Sequence, residues 1–194
     1  MSVFRISYFV FLLLASSSKL LALAWAQEAT TAVVSPEAQR LIDQFEVDDP
    51  YLRHQVFLQL EALREPATAS VIRQYLVHRQ PELRALSVRA LAAVEGLRAV
   101  PTLVERLTKD QSPSVRLQAI LALEPFVAQD AHAVPPLIKA LRDRHLEVRM
   151  AAIDIVSRIE TSEAQEAIAI RWKRERHRDV RRVLEAAMKR LGRL

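Results

Sequence analysis

Residues 112–123, SPSVRLQAILAL, combine an early proline, a Val-Arg pair and apolar residues at helical spacing. A close variant, LEVRMAAIDIV, returns at residues 146–156, and looser variants return in three other places. The arginines of these phrases are separated by 31, 32, 33 and 32 residues; they are Arg53, Arg84, Arg116, Arg149 and Arg181. Because a period this regular is typical of stacked supersecondary units, the sequence predicts a repeat architecture.

Each phrase has the periodicity of an amphipathic helix. The residues three, six, seven and ten positions after the arginine are mostly apolar, and this spacing places them on one helical face. A second apolar pattern precedes each phrase, as in VPTLVERL at 100–107 and VPPLIKAL at 134–141. Pro101 and Pro135 then fall in a first helical turn, where the missing N–H would have no intrahelical acceptor. Each unit is therefore predicted to be a helix pair.

The composition favours an all-α protein and excludes several kinds of chemistry. Two glycines among 194 residues disfavour a sheet with many tight turns, and 51% hydrophobic residues are enough to bury a core. The absence of cysteine excludes disulfides, thiolate metal sites and cysteine nucleophiles. No two histidines lie three or four residues apart, and neither a phosphate-binding glycine loop nor a Gly-x-Ser-x-Gly motif occurs. We therefore expect a non-enzymatic protein with no catalytic, cofactor or metal site.

Residues 1–26 have the pattern of a secretory signal peptide: a basic start, the apolar run ISYFVFLLLA, and small residues at Ala24 and Ala26. The apolar run is shorter than the roughly 18 to 20 residues that a membrane span needs, so we expect cleavage rather than an uncleaved anchor. Residues 27–35 are predicted to be a flexible tether. Export to the periplasm is the expected localisation, with secretion or N-terminal membrane anchoring as alternatives.

The chain resembles the HEAT-repeat family, in particular the short HEAT-like repeats of the phycobilin-lyase group. The resemblance rests on Pro101 and Pro135, on the Val-Arg pairs at 115–116 and 148–149, and on the Ala/Leu alternation after them. It implies an all-α, right-handed α-solenoid of five HEAT-like helix pairs, an α-α superhelix, whose second helices line the concave face. The solenoid is predicted over residues 36–194, with repeats at approximately 36–64, 66–95, 97–127, 131–160 and 162–194.

The resemblance also implies a structural ladder of acidic residues and arginines. Asp110 and Asp143 stand six residues before the arginines of their repeats, whereas His78 takes that place in the second repeat. We interpret the row of arginines as bonds between repeats rather than as an anion site. The predicted ladder residues are Arg53, Arg84, Asp110, Arg116, Asp143 and Arg149.

A binding surface is predicted on the second helices, at positions that point away from the buried stripe. Several of these positions are apolar, and contiguous exposed apolar surface marks protein-binding sites. The predicted partner-binding residues of the concave face are Leu58, Arg89, Leu117, Leu121, Met150 and Asp154. The expected function is a non-catalytic scaffold or adaptor of the bacterial cell envelope that binds a partner peptide or helix.

The positive charge of the chain is concentrated at its C-terminal end, where residues 162–194 contain 10 basic and 5 acidic residues. An alternative function is therefore binding of an acidic partner, another polyanion or a membrane surface, with nucleic acid disfavoured by the predicted export. The opposing interpretation is a polar outer face on a terminal, capping repeat. The residues of this secondary basic patch are Arg178, Arg181, Arg182 and Lys189.

Overall fold

The computed structural model of the chain describes residues 34–44 and 49–194. The predicted signal peptide and most of the predicted tether lie outside these residues. In the described part, α-helices alternate with loops and short 3-10 turns, and no strand occurs. The α-helices are α1 Pro36–Asp43, α2 Pro50–Leu63, α3 Ala69–Tyr75, α4 Pro81–Glu95, α5 Val100–Lys109, α6 Pro113–Leu123, α7 Val134–Ala140, α8 Leu146–Val156, α9 Ser162–Arg174 and α10 Arg178–Arg190.

Proline marks many of the helix beginnings, as the sequence predicts. Pro101 and Pro135 lie in the first turns of α5 and α7, and Pro81 and Pro113 begin α4 and α6. Since the first turn has N–H groups without intrahelical acceptors, proline begins a helix there without losing a hydrogen bond. The repeat arginine is the fourth residue of every second helix, including α8 and α10, which begin without proline.

The helices form two layers, which is the arrangement of an α-solenoid. Each second helix packs against the second helix of the next repeat, and α7 packs between α5 and α9 in the layer of first helices. The core lies between the layers and runs through the described repeats. The residue three positions after each repeat arginine is fully buried. These residues are Val56, Ser87, Ala119, Ala152 and Leu184. The all-α solenoid predicted from the sequence is therefore present.

The first helix is tied to the second repeat by a serine that the sequence assigned to the tether. Ser35 Oγ accepts the N–H of Ala38 at 3.1 Å and so caps α1. The Ser35 N–H and Oγ–H donate to the carboxylate of Glu65 at 2.6 and 2.7 Å. The solenoid is thus anchored from residue 35 onward. Among the described residues, no helix combines the length and apolar composition needed to cross a bilayer.

Candidate binding surfaces

The predicted ladder residues from Arg84 to Arg149 meet at the interfaces between repeats. Arg84 forms a bidentate ion pair with Asp110 of the next repeat: Nε donates to Oδ2 at 2.8 Å, and Nη2 donates to Oδ1 at 2.9 Å. Arg116 holds Asp143 in the same way, at 2.7 and 2.8 Å. Bidentate arginine–carboxylate pairs are among the stronger hydrogen-bonded contacts in proteins. The same ion pair therefore fixes two successive interfaces.

Three ladder arginines, Arg84, Arg116 and Arg149, also bind the loops of their own repeats. Nη1 of Arg116 donates to the carbonyl oxygens of Asp110 and Gln111, both at 3.0 Å. Arg84 and Arg149 make the equivalent pairs of bonds to the loops that precede their helices. Loop carbonyls lack helical partners, and buried carbonyls need hydrogen bonds. Each arginine therefore joins the loop of one repeat to the carboxylate of the next.

The ladder carboxylates complete the turns that lead into the second helices. Oδ1 of Asp110 accepts the N–H of Ser112 at 2.9 Å, and Oδ1 of Asp143 accepts the N–H of His145 at 2.9 Å. Burial by itself would raise the pKa of Asp110 and of Asp143. The hydrogen bonds from the arginine and from the backbone outweigh burial and hold both pKa values below the usual range. Both groups are therefore ionised near neutral pH and cannot act as proton donors there.

Glu175 takes the role of the ladder acid in the last repeat. It accepts Nε of Arg149 at 3.2 Å and the N–H of His177 at 2.8 Å, and Arg171 of the same helix also donates to it. Burial opposes ionisation of Glu175, but these hydrogen bonds and the two guanidinium charges lower its pKa to about 2. Glutamate has one more methylene than aspartate, and it still reaches the arginine of the preceding repeat.

We call the residue six positions before each repeat arginine a rung of the ladder. The first described rung, His78, has an imidazole where the later rungs have a carboxylate. Nδ1 of His78 accepts the N–H of Gln80 at 3.1 Å, which is the turn bond that the carboxylates accept later in the chain. Burial, followed by the charges of Arg79, Arg53 and Arg84, lowers the pKa of His78. A neutral imidazole completes the turn but adds no negative charge between the arginines.

The ladder ends on an aromatic ring. Arg181 donates through Nη1 to the carbonyl of Glu175 at 3.2 Å, and its guanidinium lies 4.4 Å from the centroid of the Trp172 ring. A guanidinium over an indole face gains a cation–π interaction. Arg181 therefore ends the row of repeat arginines, and it also belongs to the predicted basic patch.

The apolar residues predicted to bind a partner differ in how much surface they expose. Leu121 on α6 is 44% exposed. Leu58, Leu117 and Met150 are partly buried, and Leu117 and Met150 pack against the core. The exposed apolar surface in this region is therefore centred on Leu121 and is narrower than the sequence pattern indicates.

The charged residues of the same surface are paired across repeats. Arg89 on α4 donates to Glu61 on α2 at 3.0 Å. Asp154 on α8 contacts Arg158 at 3.1 Å, and the same Arg158 contacts Glu124 of the preceding repeat at 2.6 Å. Arg158 was missed by sequence reasoning, because it follows the end of α8 and only the stacking of repeats brings it to Glu124. These pairs form a charged border on the second-helix layer around Leu121.

The secondary basic patch contains two kinds of cation. Lys189 pairs with Glu185 one turn away on α10, at 2.7 Å. Arg178 and Arg182 are exposed and have no side-chain partner among the described residues. Glu185 stands where earlier repeats bury an apolar residue; those residues are Phe57, Val88, Ile120 and Ile153. The last helix thus presents a polar outer face at the end of the stack.

Residue types that bind metals do not cluster in the described part of the chain: no group of three His, Cys, Asp or Glu side chains there could hold an ion. A cleft of ≈ 620 Å³ lies beside the ladder, where Asp110, Arg116 and Asp143 are among its lining residues. Both carboxylates that line this cleft are held by arginines, so neither is a free general base.

Comparison with known proteins identifies related repeats. The sequence profile of the HEAT repeats matches residues 38–124 and 100–189. No curated protein matches the chain. Among solved structures, the complex of CpcE and CpcF of phycocyanin lyase from Nostoc sp. PCC7120 matches with a TM-score of 0.61 and 23% identity, over 78% of this chain and 97% of that one.

Designed proteins have a similar fold. A designed armadillo repeat protein in complex with the peptide (KR)4 matches with a TM-score of 0.55 and 17% identity, over 92% of this chain and 95% of that one. A further engineered protein matches with a TM-score of 0.53 and 20% identity, over 81% of this chain and 82% of that one. At these identities the likeness concerns the fold alone.

Proposed function

The chain belongs to the HEAT-repeat family, and we propose that it is a non-catalytic scaffold or adaptor that binds a peptide or helix of a protein partner. The observation that carries the proposal is the exposed Leu121 on the second-helix layer. It lies beside partly buried Leu117 and inside a border of ion pairs between repeats. An apolar centre with a polar rim is the usual anatomy of a protein interface.

The similar structures support a protein partner. The armadillo repeat protein with a similar fold holds a peptide, and the phycocyanin lyase structure is a complex of two subunits. Stacked helix pairs provide an extended surface on which a peptide or helix can lie. We infer that a partner peptide or helix lies along the second-helix layer of this chain in the same way.

Two variants of equal exposure test the binding surface. Leu121 and Leu97 are both 44% exposed, but Leu97 lies in the 3-10 turn Gly96–Ala99 rather than on a second helix. We expect Leu121→Asp to abolish capture of envelope proteins by the tagged chain after cross-linking, and Leu97→Asp to leave capture unchanged. Circular dichroism checks that both variants keep their helical content. Equal capture by Leu121→Asp and the unchanged chain would reject this surface.

We also place this function in the bacterial cell envelope, on the signal-peptide pattern of residues 1–26. The intact mass of the chain recovered from a periplasmic extract should correspond to a protein that begins at Gln27. Recovery of the full-length chain from the cytosol would contradict this localisation.

A second candidate function is supported by the exposed, unpaired Arg178 and Arg182, which would bind a polyanion or an anionic membrane surface. Replacing both with Glu should then weaken binding to vesicles that contain phosphatidylglycerol. The affinity of the unchanged chain should also fall steeply with added salt. Binding that is insensitive to salt would exclude this function.

A further inference from the structure

A groove of ≈ 290 Å³ lies in the first-helix layer, between α7 and α9, on the opposite layer from Leu121. Each helix contributes residues at positions i, i+3, i+4 and i+7, the spacing of one helical face. Along each helix, the first two of these four residues are small or apolar, and the last two are cations. The lining residues from α7 and its end are Pro135, Ile138, Lys139, Leu141 and Arg142, and those from α9 are Ala167, Ile170, Arg171 and Arg174.

The cations of this groove lack counter-charges. Lys139, Arg142 and Arg174 are exposed, and none forms a side-chain hydrogen bond or ion pair within the described part of the chain. Arg171 donates to Glu175, which the ladder also uses. No carboxylate is among the described residues that line the groove. Like charges gathered in one concave site create a positive potential that attracts anions.

A helix dipole alone does not account for these cations. Basic residues do stabilise helix C-termini. The same face of α5, however, carries Pro101, Val104, Glu105 and Thr108, with an acid and a neutral residue in place of the two cations. The third repeat therefore folds without basic residues on this face, so the cations of α7 and α9 are not required by the repeat fold.

The groove also has an apolar half. Ile138 and Ile170 are partly buried, and Leu141 is only 2% exposed beneath them. The site thus combines an apolar half near the beginnings of α7 and α9 with a cationic half near their ends. We propose that this groove binds an acidic, amphipathic peptide segment of a protein partner, whose apolar side chains cover the isoleucines and whose carboxylates contact Lys139, Arg142 and Arg174.

A peptide fits these observations better than a membrane surface does. Peripheral membrane helices combine their cations with protruding large apolar side chains that enter the lipid. The exposed large hydrophobic residues of the described chain are Tyr51, Val77, Leu97, Leu121 and Leu194, and none of them lines the groove. The isoleucines lie in an interhelical groove, where a side chain of a bound peptide can reach them.

The experiment uses the full chain and a fluorescein-labelled synthetic helical peptide composed of Glu, Leu and Ala, with fluorescence anisotropy as the measurement. The test variant carries Lys139→Glu, Arg142→Glu and Arg174→Glu. The matched control carries Arg79→Glu, Arg98→Glu and Arg176→Glu, which changes the net charge equally at exposed cations outside the groove and outside the basic patch; among the described residues their side chains also lack partners. All six positions are exposed, so both variants should retain the melting temperature of the unchanged chain.

We expect the groove variant to lose at least about tenfold in affinity for the peptide, because three charge contacts become repulsive, while the control loses less than about threefold. A peptide with Gln in place of Glu should bind the unchanged chain as weakly as the groove variant binds the acidic peptide. Equal losses in the two variants would overturn the proposal, since binding would then follow net charge alone. Groove-dependent binding to phosphatidylglycerol vesicles without binding to the peptide would also overturn it, in favour of a membrane surface.

Discussion

The rung of the ladder at His78 and the rung at Asp143 occupy the same place in their repeats but differ in chemistry. Both side chains accept the backbone N–H two residues later, at 3.1 Å for His78 and 2.9 Å for Asp143. Only Asp143 also forms an ion pair with the preceding repeat, through Arg116. The comparison separates two tasks of one position: closing the turn needs any acceptor, whereas joining the repeats needs a negative charge.

Burial decides where the negative charge is required. Arg116 is 5% exposed, so its guanidinium has lost most of its contact with water. An uncompensated buried charge is strongly unfavourable. Arg53, next to the His78 rung, is more exposed and lies near the beginning of the stack. The carboxylate is therefore expected to matter most in the middle of the solenoid.

Removing the central carboxylate should have the largest effect. We expect Asp143→Ala to lower the free energy of unfolding by about 3 to 5 kcal/mol, because it leaves Arg116 buried without a counter-ion. Urea denaturation followed by circular dichroism measures the change. The double variant Arg116→Met with Asp143→Leu serves as the control and should recover part of the loss: it removes both charges together, but it leaves the loop carbonyls that Arg116 binds without their donor. An unchanged urea midpoint for Asp143→Ala would show that the ion pair is not needed.

Acid should affect the carboxylate rungs next most strongly. The pKa values of Asp110, Asp143 and Glu175 are lowered in the folded state, so the unfolded chain binds more protons as the pH falls. The stability that these groups contribute is present above their unfolded pKa values, near 4, and for Glu175 it is lost as the pH falls to about 2. Thermal melting between pH 7 and pH 2 tests this, with Asp143→Asn expected to show a shallower acid loss.

The His78 rung should respond to pH in a different window. Its pKa is lowered by burial and by nearby arginines, so the folded state favours the neutral imidazole. Stability from this rung is therefore present above the unfolded pKa of about 6.5 and is lost as the pH falls below it. An NMR titration of the His78 imidazole should give a pKa below the ordinary value of about 6.5. A higher value for His78 would contradict the assignment.

Installing a carboxylate at the first rung should have a moderate, stabilising effect. His78→Asp keeps an acceptor for the Gln80 N–H and places a negative charge near Arg53 and Arg84. We expect a gain of about 1 kcal/mol, the usual size of a hydrogen bond to a charged group in a partly exposed place. Urea denaturation should show the gain at pH 7, and the part of the pH dependence below about 6.5 that comes from His78 should disappear. A loss of stability would mean that the imidazole has a packing role against Tyr75.

The smallest effect is expected at an exposed pair. Arg158 and Glu124 also join two repeats, at 2.6 Å, but both side chains are 45% exposed. Water and salt screen such a pair, so Glu124→Gln should change the free energy of unfolding by less than about 0.5 kcal/mol. The same denaturation experiment measures it. A loss as large as that of Asp143→Ala would show that burial does not distinguish the two pairs.

Particular residues show how far prediction from the sequence reaches. The burial of Val56, Ala119 and Ala152 follows from their helical spacing, because a helical period repeats locally and needs no knowledge of neighbours. The exposure of Leu121 and the partial burial of Leu117 could not be separated in this way. Both point away from the stripe on one helix, and only the packing of α6 against its neighbours covers one more than the other.

The amino-acid sequence by itself determined the helix pairs, their period and the buried stripe, since each of these depends on local spacing and on the conformational limits of proline. The ladder residues were expected from the resemblance to HEAT repeats. Tertiary structure alone decided which charges meet across repeats, as with Glu124 and Arg158, and which cations remain unpaired, as with Lys139, Arg142 and Arg174. The reason is geometric. Contacts between repeats depend on the distance and rotation between stacked helices, and no spacing within one repeat encodes these quantities.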